Sequence, residues 1–391
     1  MMPNVKTNVK GFLKNILYNM VTLPIQVVCS IGKLFGKEYI DGCMVAMCKL
    51  YEKKTGFFCS YRFRPMKAKQ VVSIEGDNDI DEKIAIVIQG PIFIEDHFTL
   101  ETVRIYGKLY PSVKVILSTW EGGYDSELNL IKQEKNCIIV LNQKPEHVGS
   151  LNSNLQCVTT LSGIREAKKL NCQYVLKTRG DWRIYSKGAL RFMVHMLEDY
   201  PCTSNLLHQK KRIIVTDIAT SETSIMFYPF WFSDLFMFGD IDDMFNYWNF
   251  TLDDRDYADK AYVDAMIRTN HYTWTQRVSE EMLNEGRYPM DYIRRMTGKK
   301  PEITVKEYWS YMKDYFMVMP KSILDGFWYK YGTWRYDESA SYGTCFRNDS
   351  QQDLLTYNFD FVNWMNLCHD DLEYKEEFED IPCSRFYRYH H

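Results

Sequence analysis

The sequence predicts an α/β protein: a mostly parallel sheet flanked by helices, with a basic helical segment before it and an aromatic-rich region after it. Three observations carry that prediction. Ile84 to Gln89 is an unbroken apolar run, IAIVIQ, stopped by Gly90-Pro91, the pattern of a strand buried on both faces of a parallel sheet. Strand-like and helix-like stretches then alternate, and parallel neighbours need right-handed helical crossovers. Finally, 391 residues at 46% hydrophobic and 25% charged are enough for a large core, with no long span biased toward disorder.

The basic segment covers residues 1–72. Up to residue 70 it holds twelve Lys and Arg residues against Glu38, Asp41 and Glu52, so it sits near +9, and the formal net charge of -3 leaves the rest near -12. Such an end suits an anionic surface such as lipid headgroups. The stretch between Lys14 and Lys33 is uncharged, but Asn15, Asn19, Pro24 and Gln26 interrupt it, and a membrane span needs about 20 predominantly apolar residues. No small-residue cleavage site follows cleanly, so it does not read as a signal peptide. Two readings stay open: an interfacial helix lying on an anionic leaflet, or a helix packed on the protein's own body.

A polar linker from Ser73 to Lys83 leads into the second region, 83–290. Strands are expected at Ile84–Gln89, Val113–Leu117, Cys137–Leu141 and Tyr174–Lys177, with helices over Phe98–Leu109 and Leu155–Lys169. Ile213 to Val215 reads as a further strand, after which the chain turns aromatic, with helical stretches near 259–269 and 278–285. Residues 291–391, rich in Trp and Tyr, form an extension expected to pack on the preceding domain. Eleven scattered cysteines without a C-x-x-C pair read as reduced cytoplasmic thiols. Asn249-Phe-Thr251 and Asn348-Asp-Ser350 match the glycosylation tripeptide, a pattern too common to outweigh them.

Chemistry is expected where strands end, because ligands of open α/β sheets bind outside the carboxyl ends of the strands. The fourth strand runs from Tyr174 into Lys177, Arg179, Asp181 and Arg183, three cations and a carboxylate suited to a multiply charged anion. The first strand ends in Gln89-Gly90-Pro91, a sharp turn where backbone amides can approach a ligand. The second ends at Trp120 within STWEGG, the third in Leu141-Asn142-Gln143-Lys144, and the next helix opens with Asn152-x-Asn154-x-Gln156, whose amides and free N–H groups suit a nucleobase and phosphate. Turn chemistry or capping explains each stretch alone, but explains four successive polar strand ends less well. The first strand is followed by neither G-x-G-x-x-G nor a P-loop, which argues against a dinucleotide fold and a P-loop nucleotidase.

Taken together, IAIVIQGPI, STWEGG, the N-x-N-x-Q helix start, YVLKTRGDWRI and FWFSDLFMFGD resemble the WavE family of lipopolysaccharide-synthesis proteins, over roughly residues 83 to 290. The resemblance implies a GT-A-like glycosyltransferase, and the cysteines and the basic segment lead us to expect it in the cytoplasm, peripheral on the inner membrane face. It would move a sugar from a UDP-, GDP- or CMP-sugar to a glycan or glycolipid acceptor of lipopolysaccharide core, O-antigen or capsule. Gln89, Gly90, Pro91, Trp120, Asn154 and Gln156 would then hold the nucleoside, and Lys177, Arg179, Asp181 and Arg183 the diphosphate and donor sugar.

Typical GT-A enzymes hold a divalent cation with a D-x-D pair after the fourth strand, whereas here Asp181 is followed by Trp182 and Arg183. Either Asp181 binds Mg or Mn together with the diphosphate, or the three cations neutralise the leaving group directly. The acceptor hydroxyl needs a base. Asp234, in an aromatic run, is one candidate, with a helix N-cap as its plain alternative. Glu280, where the family pattern puts a Glu ahead of an apolar helix, is the other, with a first-turn carboxylate as its alternative. Asp240, Asp242 and Asp243 read as mostly solvated. Trp231, Tyr247 and Trp248 read as an acceptor groove or as core. Nucleic acid is not an expected partner despite Tyr61-Arg62-Phe63-Arg64, since the overall balance is acidic. The competing reading is a non-catalytic scaffold of the polysaccharide machinery that kept the fold and lost the chemistry.

Overall fold

Sequence alternation becomes a seven-stranded sheet in the structure, a computed structural model. It describes residues 36–56, 63–72, 83–149, 152–205, 208–217, 232–250, 310–329 and 360–369, with residue 252 and a few isolated positions between 23 and 58. In chain order the strands are β1 (Ile84–Gln89), β2 (Lys114–Trp120), β3 (Cys137–Asn142), β4 (Tyr174–Arg179), β5 (Trp182–Ile184), β6 (Ile213–Thr216), β7 (Phe236–Asp240), β8 (Phe316–Met319) and β9 (Gly326–Trp328). The large sheet runs β3-β2-β1-β4-β7-β6-β8, and β5 pairs with β9 in a separate ribbon. Every neighbour in the large sheet is parallel except the two pairs made by β7. The mostly parallel sheet with flanking helices is therefore the observed architecture.

The described helices are α1 (Lys37–Thr55), α2 (Phe98–Leu109), α3 (Asp125–Ile131), α4 (Ser153–Lys169), α5 (Ala189–Asp199), α6 (Ile241–Trp248), the single turn α7 (Lys321–Leu324) and α8 (Phe361–Cys368). β1 is buried at all six positions, as a strand covered by helices on both faces must be. Both β2 and β4 run further than the apolar pattern predicts. Their ladders continue because Trp120 pairs with Asn142 and Arg179 with Gln89, so polar Ser118, Thr119 and Arg179 lie within strands.

β7 and β8 are additions that the sequence reading does not contain. β7 inserts antiparallel between β4 and β6, and β8 forms the far edge. Within the stretch from 291 expected to pack on the preceding domain, Phe316–Met319 joins the large sheet and Gly326–Trp328 pairs with β5. Trp364 of α8 seals that edge, fully buried, its indole N–H 2.8 Å from the Phe316 carbonyl. The expected helices near 259–269 and 278–285 lie outside the described residues.

Residues 1–63 and 64–391 are two compact units. In the first, α1 exposes Tyr39, Val45, Met47, Leu50 and Tyr51, with Lys53 and Lys54 in its last turn. Among the described residues no helix is long and apolar enough to cross a membrane. In the second, residues 64–72 pack with the body: Arg64 pairs with Asp325 at 2.6 Å, and the Ala68 N–H donates to Glu101 at 2.7 Å.

The acidic triplet is not mostly solvated. Asp240 caps α6, accepting from the Asp242 and Asp243 N–H groups. Asp243 is buried, where it accepts backbone N–H bonds from Lys210 and Lys211, and its burial pushes the carboxyl up to about 6. Asp240 and Asp242 are partly exposed, and the Asp242 carboxyl is pulled down to about 2 by hydrogen bonds from Lys168 and Lys210.

Candidate active site

Parallel register sets the floor of the site. Ser118, Gln89 and Arg179 are successive partners across β2, β1 and β4, and partners in a ladder share a face. On this face the Thr159 hydroxyl of α4 lies 2.9 Å from Gln89 Oε1. Asn142 donates to Ser118 Oγ at 3.0 Å and to the Thr119 carbonyl at 2.9 Å. Gln156 Oε1, Ser153 Oγ and Thr160 Oγ1 of the same helix are buried without a hydrogen-bond partner. Buried polar groups are normally paired, so this end of α4 has hydrogen-bonding capacity left for a ligand. Asn154 spends its amide N–H on the His147 carbonyl at 2.9 Å, and Trp120 is buried at the end of β2. Thr159 is a polar site residue that the sequence reading does not single out, and its helical position opposite Gln89 is its only signal; Ser118 and Asn142 stand in the polar strand ends of the sequence reading.

Two glycines bring the strand ends together. Gly90 has a φ of +95, a left-handed conformation that favours glycine, and Pro91 follows it on the surface. Gly180 passes so close that a Cβ there would sit 2.3 Å from the Pro91 carbonyl oxygen. The turn after β4 therefore packs directly on the turn after β1.

That turn also divides the four charged residues. Lys177 is completely buried, its ammonium donating to the Asp234 carbonyl and lying 4.7 Å from the centre of the Trp248 ring. Arg179, 23% exposed, grips Asp181 with two nitrogens, Nε to Oδ1 at 2.9 Å and a terminal nitrogen to Oδ2 at 3.1 Å. Its other terminal nitrogen is 3.5 Å from Asp234 Oδ2. Asp181 is 1% exposed and also accepts from the Trp328 indole N–H at 3.0 Å, while its carbonyl accepts the Tyr329 N–H at 2.9 Å. Trp328, from the stretch read as extension, is thus a partner the sequence does not reveal.

Arg183 goes elsewhere. Its guanidinium is buried against α2 and donates to Thr102 Oγ1 at 2.9 Å, the Phe98 carbonyl at 2.8 Å, the Met66 carbonyl at 3.1 Å and the Tyr185 hydroxyl at 2.9 Å. It also stacks 4.1 Å above the Phe98 ring. The expected diphosphate contact gives way to a structural one, because this side chain is consumed by the protein's own acceptors.

Asp234 precedes β7, so the helix-cap alternative is excluded, and at 26% exposure it is a partly open carboxylate beside Arg179. Glu280 and Trp231 lie outside the described residues. Tyr247 and Trp248 are core, packed edge-to-face with each other, and do not line a groove. The implied metal fits poorly: both Asp181 oxygens already serve Arg179 and Trp328. Among the described residues no three His, Cys, Asp or Glu side chains gather to hold a cation.

A family model described as WavE lipopolysaccharide synthesis matches residues 84–319, more than half of the chain. No curated protein matches it. Among solved structures, a cytidylyltransferase from Leptospira borgpetersenii is 12% identical, over 42% of this chain and 63% of its own, with a TM-score of 0.25. Mannose-1-phosphate geranyltransferase from Thermus thermophilus is 12% identical over 41% and 58%, TM-score 0.25. Core-mannan synthase A from Aspergillus fumigatus, in a Mn/GDP form, is 9% identical over 56% and 76%, TM-score 0.27. The chain spans less than two thirds of the first two.

Proposed function

The chain belongs to the WavE lipopolysaccharide-synthesis family, and from that premise we propose that it is a glycosyltransferase. It moves a sugar from a nucleotide-sugar donor to a lipid-linked or growing surface polysaccharide. The observation that carries this reading is Arg179: a partly exposed guanidinium at the C-terminal edge of the central strand, flanked by two carboxylates and paired across the ladder with Gln89. A cation there faces the region where an open α/β sheet takes its ligand. The buried unpaired oxygens of Gln156, Ser153 and Thr160 can receive the nucleoside, alongside Gln89, Trp120 and Asn154. Asp234 accepts the proton of the acceptor hydroxyl. The transfer breaks the bond from the sugar's anomeric carbon to phosphate, whose oxygen keeps the electron pair, and forms a bond from that carbon to the acceptor oxygen.

Thermal-shift measurements with UDP, GDP, CDP and CMP should show selective stabilisation by one nucleotide, because a ligand that binds only the folded state raises its midpoint. A mass-spectrometric screen of the matching nucleotide sugars then names the donor. Failure of all four nucleotides to stabilise the protein would favour the scaffold reading.

Residues 1–63 supply the membrane contact in this proposal, supported by the apolar side chains exposed on α1 beside Lys53 and Lys54. The full chain is expected to sediment with anionic vesicles and to be released by high salt, whereas residues 64–391 stay in the supernatant. Equal sedimentation of both would refute that contact.

A further inference from the structure

We propose that the Arg179 guanidinium takes the place of a divalent cation, so that the nucleoside diphosphate is bound and released without metal. The inference rests on the glycosyltransferase reading above. A hard dication needs six or more oxygen ligands, of which a nucleotide site usually supplies one or two carboxylates. The carboxylates are here, Asp181 and Asp234, and what sits between them is Arg179. Its grip on Asp181 uses two nitrogens, and the Trp328 indole holds the same carboxylate from the other side.

A metal entering at Asp181 would have to displace a two-point ion pair at a residue only 1% exposed, and breaking a buried pair is costly because it leaves an uncompensated charge. Arginine is always charged and matches phosphate oxygens with paired N–H donors. The contact with Asp234, at 3.5 Å, is longer than those with Asp181, and we assign the phosphate to that side of the guanidinium. When the anomeric carbon–oxygen bond breaks, the negative charge left on the diphosphate faces those donors. No co-reactant beyond donor and acceptor is needed.

Calorimetric titration of the full, metal-stripped chain with UDP, GDP and CDP tests this, once in EDTA and once with millimolar Mn or Mg. The best-binding nucleotide is expected to keep its Kd within about threefold between the two conditions. Arg179→Gln should weaken it at least about tenfold in EDTA, since charge-assisted hydrogen bonds to phosphate are the strong ones. Should that variant fail to fold, Arg179→Lys replaces it, and the wild-type comparison needs no variant. Binding that appears only with metal overturns the inference and leaves the glycosyltransferase reading intact. Binding under neither condition overturns both. Unchanged affinity in the folded Arg179 variant overturns the assignment to this residue.

Discussion

Arg183→Met is expected to cost about 3 kcal/mol of folding stability, measured by urea unfolding, because it removes a buried guanidinium that donates to four acceptors and ties residues 65–66 to α2. Methionine fills a comparable volume and is apolar, so the substitution isolates polarity from packing. The groups left behind are the Phe98 and Met66 carbonyls and the Thr102 and Tyr185 hydroxyls, all lined up on one guanidinium. The Phe98 carbonyl keeps the Thr102 hydroxyl, 2.8 Å away, and the Tyr185 hydroxyl keeps the Pro65 carbonyl at 2.9 Å, so the Met66 carbonyl loses most, and a buried unpaired group costs about 1–3 kcal/mol. The stack on Phe98 is lost as well. Because Phe98 and Thr102 both belong to α2, the damage should reach the β1–α2 connection and the adjacent Gly180 turn. A diphosphate ligand would behave in the opposite way, with a near-native midpoint and lost nucleotide affinity, and that outcome would return Arg183 to the binding site.

The division between Arg183 and its neighbours also shows where the sequence stops speaking. Positions 177, 179, 181 and 183 share one parity, and a strand of period two would put all four on one face. The strand ends at Arg179, and the close approach of Gly180 to Pro91 redirects the chain. Lys177 then faces Trp248 of α6 while Arg183 faces α2. That redirection is a tertiary contact between two turns about 90 residues apart, which no local pattern carries. The core strand β1 and helix α2 were legible to the residue because an apolar run or stripe is itself the local signal. β7 was not, since FMFGD sits within a longer aromatic run and becomes a strand only by pairing between β4 and β6. Trp328 reached Asp181 by the same kind of long-range pairing, through the β5–β9 ribbon.

Asp234→Asn and Asp181→Asn are expected to separate kinetically, although both touch one guanidinium. At Asp234 the amide keeps the size and one acceptor for Arg179 but no longer takes a proton, so kcat should fall about 10²- to 10⁴-fold, the span of a lost general base. Donor KM should stay within about threefold, since the change acts on the transition state and not on donor binding. At Asp181 the amide oxygen still serves the Trp328 indole, but one leg of the Arg179 grip is gone. Donor KM should therefore rise about tenfold, with a smaller fall in kcat, because the guanidinium is no longer held where the phosphate arrives. Since both substitutions act on Arg179, their combined effect should be smaller than the product of the two. Full kcat in Asp234→Asn would remove it as the base and pass that role to Glu280, which Glu280→Gln then examines. Fully independent effects would mean that Arg179 does not couple the two carboxylates, and the metal-like position assigned to it would fall.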